Sequence, residues 1–125
     1  MIENNIAITK NTGGITAGDL SAVKTYLGNA TAGDYSAVRT ATGDVTAGHF
    51  SAVRTHFGNA KAGDYSVART YNGDVIIGDN SVGLGTKLGS LGENSVIALT
   101  DEYGEIIKII VKKTNGSSPE VEIIN

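Results

Sequence analysis

A strict tandem repeat with a 15-residue period constrains the fold of this chain more than any other feature. Its most regular part has the pattern Ala-Gly-Asp, a variable residue and Ser, and it recurs without insertions from Ala17, Ala32, Ala47, Ala62 and Ile77. A second glycine, and a threonine preceded by lysine or arginine, keep the same period. Units this short bury apolar surface only by stacking on their neighbours. The sequence therefore predicts a stack in which equivalent positions of successive units lie directly over each other.

The residues between the glycines favour β-strands. Val, Ile and Thr are frequent, and the 17 glycines are spaced as turns between strands. Each unit is predicted to contain two short strands separated by two glycine corners, for example at residues 45–47 and 50–55. The predicted fold is all-β, a parallel β-solenoid (β-roll or β-helix) of about five 15-residue coils. At about 4.8 Å per coil, such a column is roughly 24 Å tall.

An amphipathic helix is the competing interpretation for residues 19–27. Asp19 could cap such a helix, and Leu20, Val23 and Leu27 would share one of its faces. Later units do not keep that face, because polar or aromatic residues replace the leucine at position 27. A helix of about eight residues between glycines is also marginal in water. The β interpretation is therefore preferred.

Alternation along the longer predicted strand assigns its two faces. Ser51, Val53 and Thr55 fall on one face, and the aromatic residue, alanine and arginine that alternate with them fall on the other. An arginine repeated in every unit does not fit inside a thin coil, so the Ser, Val and Thr set is predicted to face inward. The inward hydroxyls are expected to form hydrogen-bonded ladders of identical neighbours.

The outward set predicts an interaction stripe along the solenoid. Its aromatic residues are expected to stack at the coil spacing, beside the basic residues, with cation–π contacts between the two sets. Its members are Leu20, Lys24, Tyr35, Arg39, Phe50, Arg54, Tyr65 and Arg69. Because a thin coil has a small core, partners or caps are expected, and self-association through this stripe is the simplest inference.

A column of acidic residues is predicted at one corner. It consists of Asp19, Asp34, His49, Asp64 and Asp79. Stacked carboxylates could bind calcium, whereas an aspartate after glycine more commonly accepts backbone hydrogen bonds within a turn. The histidine in the middle of the column argues against an obligatory cation. The turn interpretation is preferred.

Composition and motifs exclude several classes of function. The net charge of −3 disfavours a nucleic-acid surface, and the absence of cysteine excludes disulfides and thiolate metal sites. His49 and His56 lack partners at metal-ligand spacing, and no nucleophile with a base is evident. An outward threonine row suited to ice binding is interrupted by Lys61. The sequence predicts no enzyme activity, no cofactor and no metal.

The two ends depart from the repeat. Residues 1–12 are predicted to form an edge strand or an attachment peptide, and residues 13–92 the solenoid. Residues 93–125, with the apolar run 106–111, are predicted to form a β-hairpin or meander cap, with a loop at 115–119 and a last strand at 121–124. Neither a secretory signal nor an apolar run of about 18 residues is found, so no membrane contact is expected.

The repeats resemble those of a known family. The Ala-Gly-Asp-Tyr-Ser units, with residues 80–85 (Asn-Ser-Val-Gly-Leu-Gly) and 93–99, resemble the head repeats of trimeric autotransporter adhesins, which form trimeric parallel β-rolls. The likeness covers roughly residues 13–99. The coil here is slightly longer, and no signal peptide or anchor is found. These departures are more similar to Gly-rich β-repeat proteins of phages and gut bacteria, including fibres on phage heads and tails.

This resemblance implies a homotrimeric fibre or decoration protein, made in the cytoplasm and located in the virion or outside the cell. A virion or cell-surface protein is the expected partner. Two alternatives stay open: a soluble module that binds a host protein, such as a phage-encoded inhibitor, and a polymerising β-helical scaffold.

Overall fold

The computed structural model describes residues 3–112 and the backbone pairing of residues 120–122. The chain is a parallel β-solenoid with about 15 residues per turn, as the repeat predicted, and it has about six turns rather than the predicted five. No helix occurs in this part of the chain, so the helical interpretation of residues 19–27 is wrong. No helix of the described residues is long and apolar enough to span a membrane. The predicted loop at 115–119 lies outside the described residues.

Each regular coil contains one short strand and one long strand. The strands in chain order are β1 (Ala7–Thr12), β2 (Ile15–Thr16), β3 (Ala22–Leu27), β4 (Ala30–Thr31), β5 (Ala37–Thr42), β6 (Val45–Thr46), β7 (Ala52–Phe57), β8 (Ala60–Lys61), β9 (Val67–Asn72), β10 (Asp74–Ile77), β11 (Val82–Gly85), β12 (Lys87–Leu91), β13 (Ser95–Thr100), β14 (Ile106–Lys112) and β15 (Glu120–Glu122). Long and short strands therefore alternate up to β9.

The strands form two sheets that enclose the core. The long strands build a nine-stranded sheet in the order β1-β3-β5-β7-β9-β11-β13-β14-β15, and the short ones a six-stranded sheet in the order β12-β10-β8-β6-β4-β2. Val23 pairs with Val38 and Val38 with Val53, so each partner lies one repeat further along the chain. The short sheet keeps the same step, since Ala30 pairs with Val45. Equivalent residues of successive coils consequently form straight columns.

The regular register begins before the first Gly-Asp unit. Ala7 of β1 pairs in parallel with Ala22 of β3, again one full repeat away, and β1 is the edge strand of the long sheet. At the other end the step shortens, because Val82 pairs with Val96. β13 then pairs antiparallel with β14, and β14 antiparallel with β15. The parallel stack of the long sheet therefore ends at β13.

The core is narrow and made of small side chains. Val38 and Val53 point inward from the long sheet, and Ala30 and Val45 meet them from the short sheet. Larger apolar residues enter the core near its two ends, Ile15 at the N-terminal end and Ile97 towards the C-terminal end. Ser51 and Thr55 are also buried, whereas Ala52 and Arg54 are exposed. The predicted division into inward and outward faces is confirmed.

The long strand starts two residues later than predicted. Strand β7 begins at Ala52, whereas the sequence placed its start at Phe50. Phe50 has a φ of 55°, in the left-handed region, so it belongs to the corner. Leu20, Tyr35 and Tyr65 share this conformation, with φ between 53° and 56°. The corner turns the chain by this left-handed residue, which alternation of residue types does not reveal.

Buried hydroxyls hold the coils together. The backbone N–H of Ser36 donates to Ser51 Oγ (3.1 Å), and Ser51 Oγ donates to the His49 carbonyl (3.0 Å). This column joins successive serines, as predicted. Thr55 Oγ1 instead donates to the Gly43 carbonyl (2.7 Å), so the predicted threonine-to-threonine ladder is wrong. Among the described residues, no buried side-chain nitrogen or oxygen lacks a partner.

The second glycine of the unit allows two coils to approach closely. Gly43 has a φ of 138°, and a Cβ added there would lie on the carbonyl group of Gly28. Gly28 and Gly58 occupy the same place in their coils, with φ of 145° and 153°. The glycine period therefore reflects both a left-handed conformation and a backbone contact.

Gly43→Ala should destabilise the fold by about 1–3 kcal/mol, because it strains the backbone and creates a steric clash. Gly14→Ala is the matched control, since a Cβ there meets its nearest neighbour at an ordinary 3.4 Å. Urea unfolding followed by circular dichroism measures both changes. Equal losses in the two variants would contradict this explanation of the glycine period.

Ser51→Ala should cost about 1–3 kcal/mol, because it leaves the buried N–H of Ser36 without its acceptor. The reverse change at the next residue, Ala52→Ser, places a hydroxyl on the exposed face and should be close to neutral. The same unfolding measurement compares the two. A neutral Ser51→Ala variant would show that the serine column does not stabilise the stack.

Candidate interaction surface

The predicted stripe forms three parallel columns on the outer face of the long sheet. The ridge consists of the left-handed corner residues Leu20, Tyr35, Phe50 and Tyr65. The alanine column consists of Ala7, Ala22, Ala37 and Ala52. The cation column consists of Lys24, Arg39, Arg54 and Arg69. The structure thus brings all eight predicted stripe residues to one face, with the alanines between them.

The rings of the ridge stack face to face. The centroids of Tyr35 and Phe50 are 5.0 Å apart with planes at 4°, and those of Phe50 and Tyr65 are 5.1 Å apart at 3°. The predicted stacking is therefore confirmed. Each ring covers the face of the next, so the column presents ring edges to its surroundings. Flat ligands such as nucleobases find no gap between these rings.

A trough runs beside the ridge along the solenoid. It contains an open groove of about 800 Å³ between the ridge and the alanine column. A second groove of about 480 Å³ lies between the alanine and cation columns. Alanine methyl groups form the floor, which keeps it lower than either border. The surface therefore has a tall aromatic border, a low apolar floor and a basic border.

The cation column does not contact the ridge. Among the described residues, the cation–π contact lies elsewhere, with Lys24 Nζ 4.9 Å from the ring centroid of Tyr26. The predicted cation–π pairing with the ridge is wrong, because alanines separate the columns and the ridge rings cover one another's faces. Lys24 also lowers the pKa of the Tyr26 phenol, first through a hydrogen bond and then through its charge.

A second aromatic cluster borders the cation column on its other side. His56 stacks on Tyr71 (4.7 Å between centroids, 17°) and meets Phe57 edge-on at 4.7 Å. This cluster was not predicted from the sequence. Its signal was available, because Tyr26, His56 and Tyr71 all stand two residues after the basic residue of their unit.

The acidic corner is a ladder of side-chain acceptors. The N–H of Asp34 donates to Asp19 Oδ1 (2.7 Å), and the N–H of His49 donates to Asp34 Oδ1 (2.8 Å). His49 continues the ladder, since its unprotonated Nδ1 accepts from the N–H of Asp64 (2.8 Å). The N–H of Asp79 donates in the same way to Asp64 Oδ1 (2.8 Å). These hydrogen bonds match the turn interpretation.

The corner ladder explains the glycine of each Gly-Asp pair. A Cβ on Gly33 would lie on the Asp19 carboxylate oxygen, which reaches across this glycine to the N–H of Asp34. Nowhere in the described part of the chain do three His, Asp or Glu side chains cluster as metal ligands would.

The opposite corner carries a second ladder that the sequence analysis did not predict. Asp44 N–H donates to Asn29 Oδ1 (2.9 Å), and Asn59 N–H donates to Asp44 Oδ1 (2.8 Å). Asp74 N–H then donates to Asn59 Oδ1 (3.0 Å). Amide and carboxylate oxygens are equivalent acceptors, so the alternation keeps the hydrogen bonds while halving the charge. Gly-Asn and Gly-Asp alternate at this corner with a period of two coils, and either residue completes the ladder.

The remaining candidates lie apart. His49 is at the acidic corner and His56 on the long strand β7, so the two histidines belong to different columns. Thr16, Thr31 and Thr46 form a column on the short sheet, which Lys61 continues.

Asp64→Ala should reduce stability by about 1 kcal/mol, because the N–H of Asp79 loses its acceptor. Asp64→Asn should preserve stability, since an amide oxygen fills the same role at Asn29 and Asn59. Equilibrium urea unfolding of both variants tests this. If the Asn variant is as unstable as the Ala variant, the carboxylate charge matters rather than the hydrogen bond.

Comparisons with models of known families, with curated proteins and with solved structures found no match for this chain.

Proposed function

We propose that this chain is a non-catalytic structural or adhesive protein, a fibre or decoration component that works as a homo-oligomer and uses the ridge and trough as its contact surface. In its specific form the proposal is the homotrimeric phage head or tail fibre component that the repeat resemblance implied. A virion or cell-surface protein is its expected partner.

The conformation of the ridge is the observation that supports this proposal most. The equivalent positions in the first and last coils are Asn5, Asn80 and Asn94, and asparagine tolerates left-handed φ better than most residues. The middle coils place leucine or an aromatic residue there, at a cost of roughly 1 kcal/mol each. These side chains remain about half exposed, Tyr35 at 58% and Phe50 at 49%. The ridge rings keep a strained backbone conformation although they are exposed in the monomer. This favours a contact between the rings and another molecule.

The side chains of the acidic corner and of the serine and threonine columns make hydrogen bonds within the fold. The aspartates and His49 of the acidic corner accept backbone hydrogen bonds, and the column serines and threonines bond between coils. A nucleophile or general base needs a side chain free to react with substrate. These hydrogen bonds favour a structural role over catalysis.

Backbone pairing at every coil suits a rod that carries load. Each strand from β3 to β11 is bonded on both sides, and both corners add side-chain bonds between coils. A stiff column that displays one residue pattern per coil is an appropriate spacer or adhesive shaft.

A soluble module that binds a host protein is the second candidate, because the same exposed ridge could bind a foreign surface. A polymerising scaffold is less well supported. End-to-end growth needs parallel edges at both ends, whereas the long sheet turns antiparallel at β14.

A native mass measurement tests the proposal. The expected particle is a trimer of about 39 kDa, three copies of 12.9 kDa. A monomer at all concentrations up to the millimolar range would overturn the assembly proposal and favour the host-binding module.

Replacing the rings by the residue that the end coils use separates assembly from folding. The triple variant Tyr35→Asn, Phe50→Asn and Tyr65→Asn should stay folded, because relief of backbone strain offsets the lost ring stacking. It should be monomeric by light scattering. A variant that assembles like the unchanged protein would show that the ridge is not the contact surface.

A further inference from the structure

We infer that the partner on this surface is another copy of the same chain, packed side by side with its axis parallel and its coils in register. The ridge and acidic corner of one copy would lie against the cation column of the next. This inference rests on the proposed function and specifies how its copies meet.

Four successive coils carry a residue of the acidic corner and a basic residue five positions later. The pairs are Asp19 and Lys24, Asp34 and Arg39, His49 and Arg54, and Asp64 and Arg69. The basic residue borders the trough, whereas the corner residue directly precedes a ridge residue and lines neither groove. Among the described residues, no ion pair joins a corner carboxylate to the cation column; His49 Nδ1 lies 3.7 Å from Asp64 Oδ2, but this nitrogen accepts the Asp64 N–H and so carries no proton to pair with the carboxylate. In three of these four pairs, a negative group next to the ridge is therefore matched by a positive group in the cation column.

A second copy of the chain carries complementary charges at the same coil spacing. When the acidic corner of one copy meets the cation column of the next at equal height, opposite charges face each other at Asp19, Asp34 and Asp64. Each of these aspartates uses Oδ1 for the corner ladder, as Asp34 does for His49, which leaves Oδ2 for a neighbour. The ladder also fixes the carboxylate, so little side-chain freedom is lost on pairing.

The repeat distance selects the partner. Contacts of one kind at every coil require a partner that repeats at about 4.8 Å, the spacing between hydrogen-bonded strands. Side chains on one face of an extended peptide repeat at about 6.8 Å, and phosphates along one strand of DNA at about 3.4 Å. Either ligand drifts out of step within two or three coils. A copy of this chain stays in step over the whole column.

The shape of the surface agrees with this partner. The ridge stands beside a trough floored by alanine, so a neighbour's ridge can approach the long sheet closely. Tyrosine, phenylalanine and arginine are among the residues enriched at protein interfaces, and all three line these borders. Since each copy presents its ridge border to one neighbour and its cation column to another, the contact is heterologous, and it closes as a ring of three when successive copies are related by one third of a turn. The proposed homotrimer is such a ring.

Removing charge without disturbing the fold tests the ion pairs. Asp34→Asn with Asp64→Asn keeps both ladder acceptors and removes two carboxylates from the acidic corner. The matched control is Asp44→Asn with Asp74→Asn, which makes the same change of net charge at the opposite corner. At low salt the first variant should raise the concentration at half-assembly by about two- to tenfold, and added salt should remove the difference. The control should assemble like the unchanged protein.

Disulfide trapping tests the register, and the chain has no cysteine of its own to interfere. One preparation carries Tyr35→Cys and a second, of different tag mass, carries Arg39→Cys; the two are mixed, refolded together and oxidised. The in-register pair should cross-link much more than Tyr35→Cys mixed with Arg69→Cys, which lies two coils away, because a disulfide needs Cα atoms within about 7 Å.

The outcomes separate the two levels of the proposal. Preferred cross-linking of the in-register pair, together with weakened assembly only in the acidic-corner variant, supports the inference. An oligomer with equal or no cross-linking of the two pairs, or equal weakening by both charge variants, overturns the inference and leaves the proposed function standing. A protein that never assembles overturns both.

Discussion

The structure depends on the hydrogen bond from the backbone N–H of one corner to the side chain of the preceding coil's corner. This bond needs a short side chain with an oxygen or nitrogen acceptor, and it needs glycine beside it, because the acceptor crosses the place that a Cβ would occupy. Both requirements recur at each coil, and the 15-residue step is constant from Asp19 to Asp79; near the C-terminal end the same bond spans 14 residues, from Asp79 to Glu93. The columns of valine, serine and threonine inside, and of rings and cations outside, follow from that constant period.

The residues of the ridge are not explained by the packing that determines the residues of the core. Inside, each residue type is the one that a thin coil accommodates, and hydroxyls complete the backbone hydrogen bonds. Outside, Tyr35, Phe50 and Tyr65 occupy a conformation that asparagine would adopt with less strain. The rings regain part of this cost by stacking, but their edges stay in water. Stability of the single chain does not explain such a choice, whereas the assembly that we propose would explain it.

Much of the fold was predictable because a strict repeat converts sequence distance into spatial position. The parallel register, the buried faces and the stacking of the rings all follow from the equivalence of positions one repeat apart. The start of β7 was not predictable, since Phe50 has strand-like composition but a corner conformation. The partner of Thr55 was missed because it is the carbonyl of Gly43, which no side-chain pattern marks. His49 looked like an interruption, although its Nδ1 accepts the same bond as a carboxylate.

The alternation of asparagine and aspartate at the second corner bears on how such a chain changes length. Asn29 and Asn59 are each followed by alanine and stand at identical places in their coils. A gene segment that encodes two coils can therefore be lost or duplicated without interrupting the corner hydrogen bonds or the alternation of neutral and charged residues. Each such event alters the column by two coils, or about 10 Å. Recombination between like segments would thus produce solenoids of graded length from a single sequence.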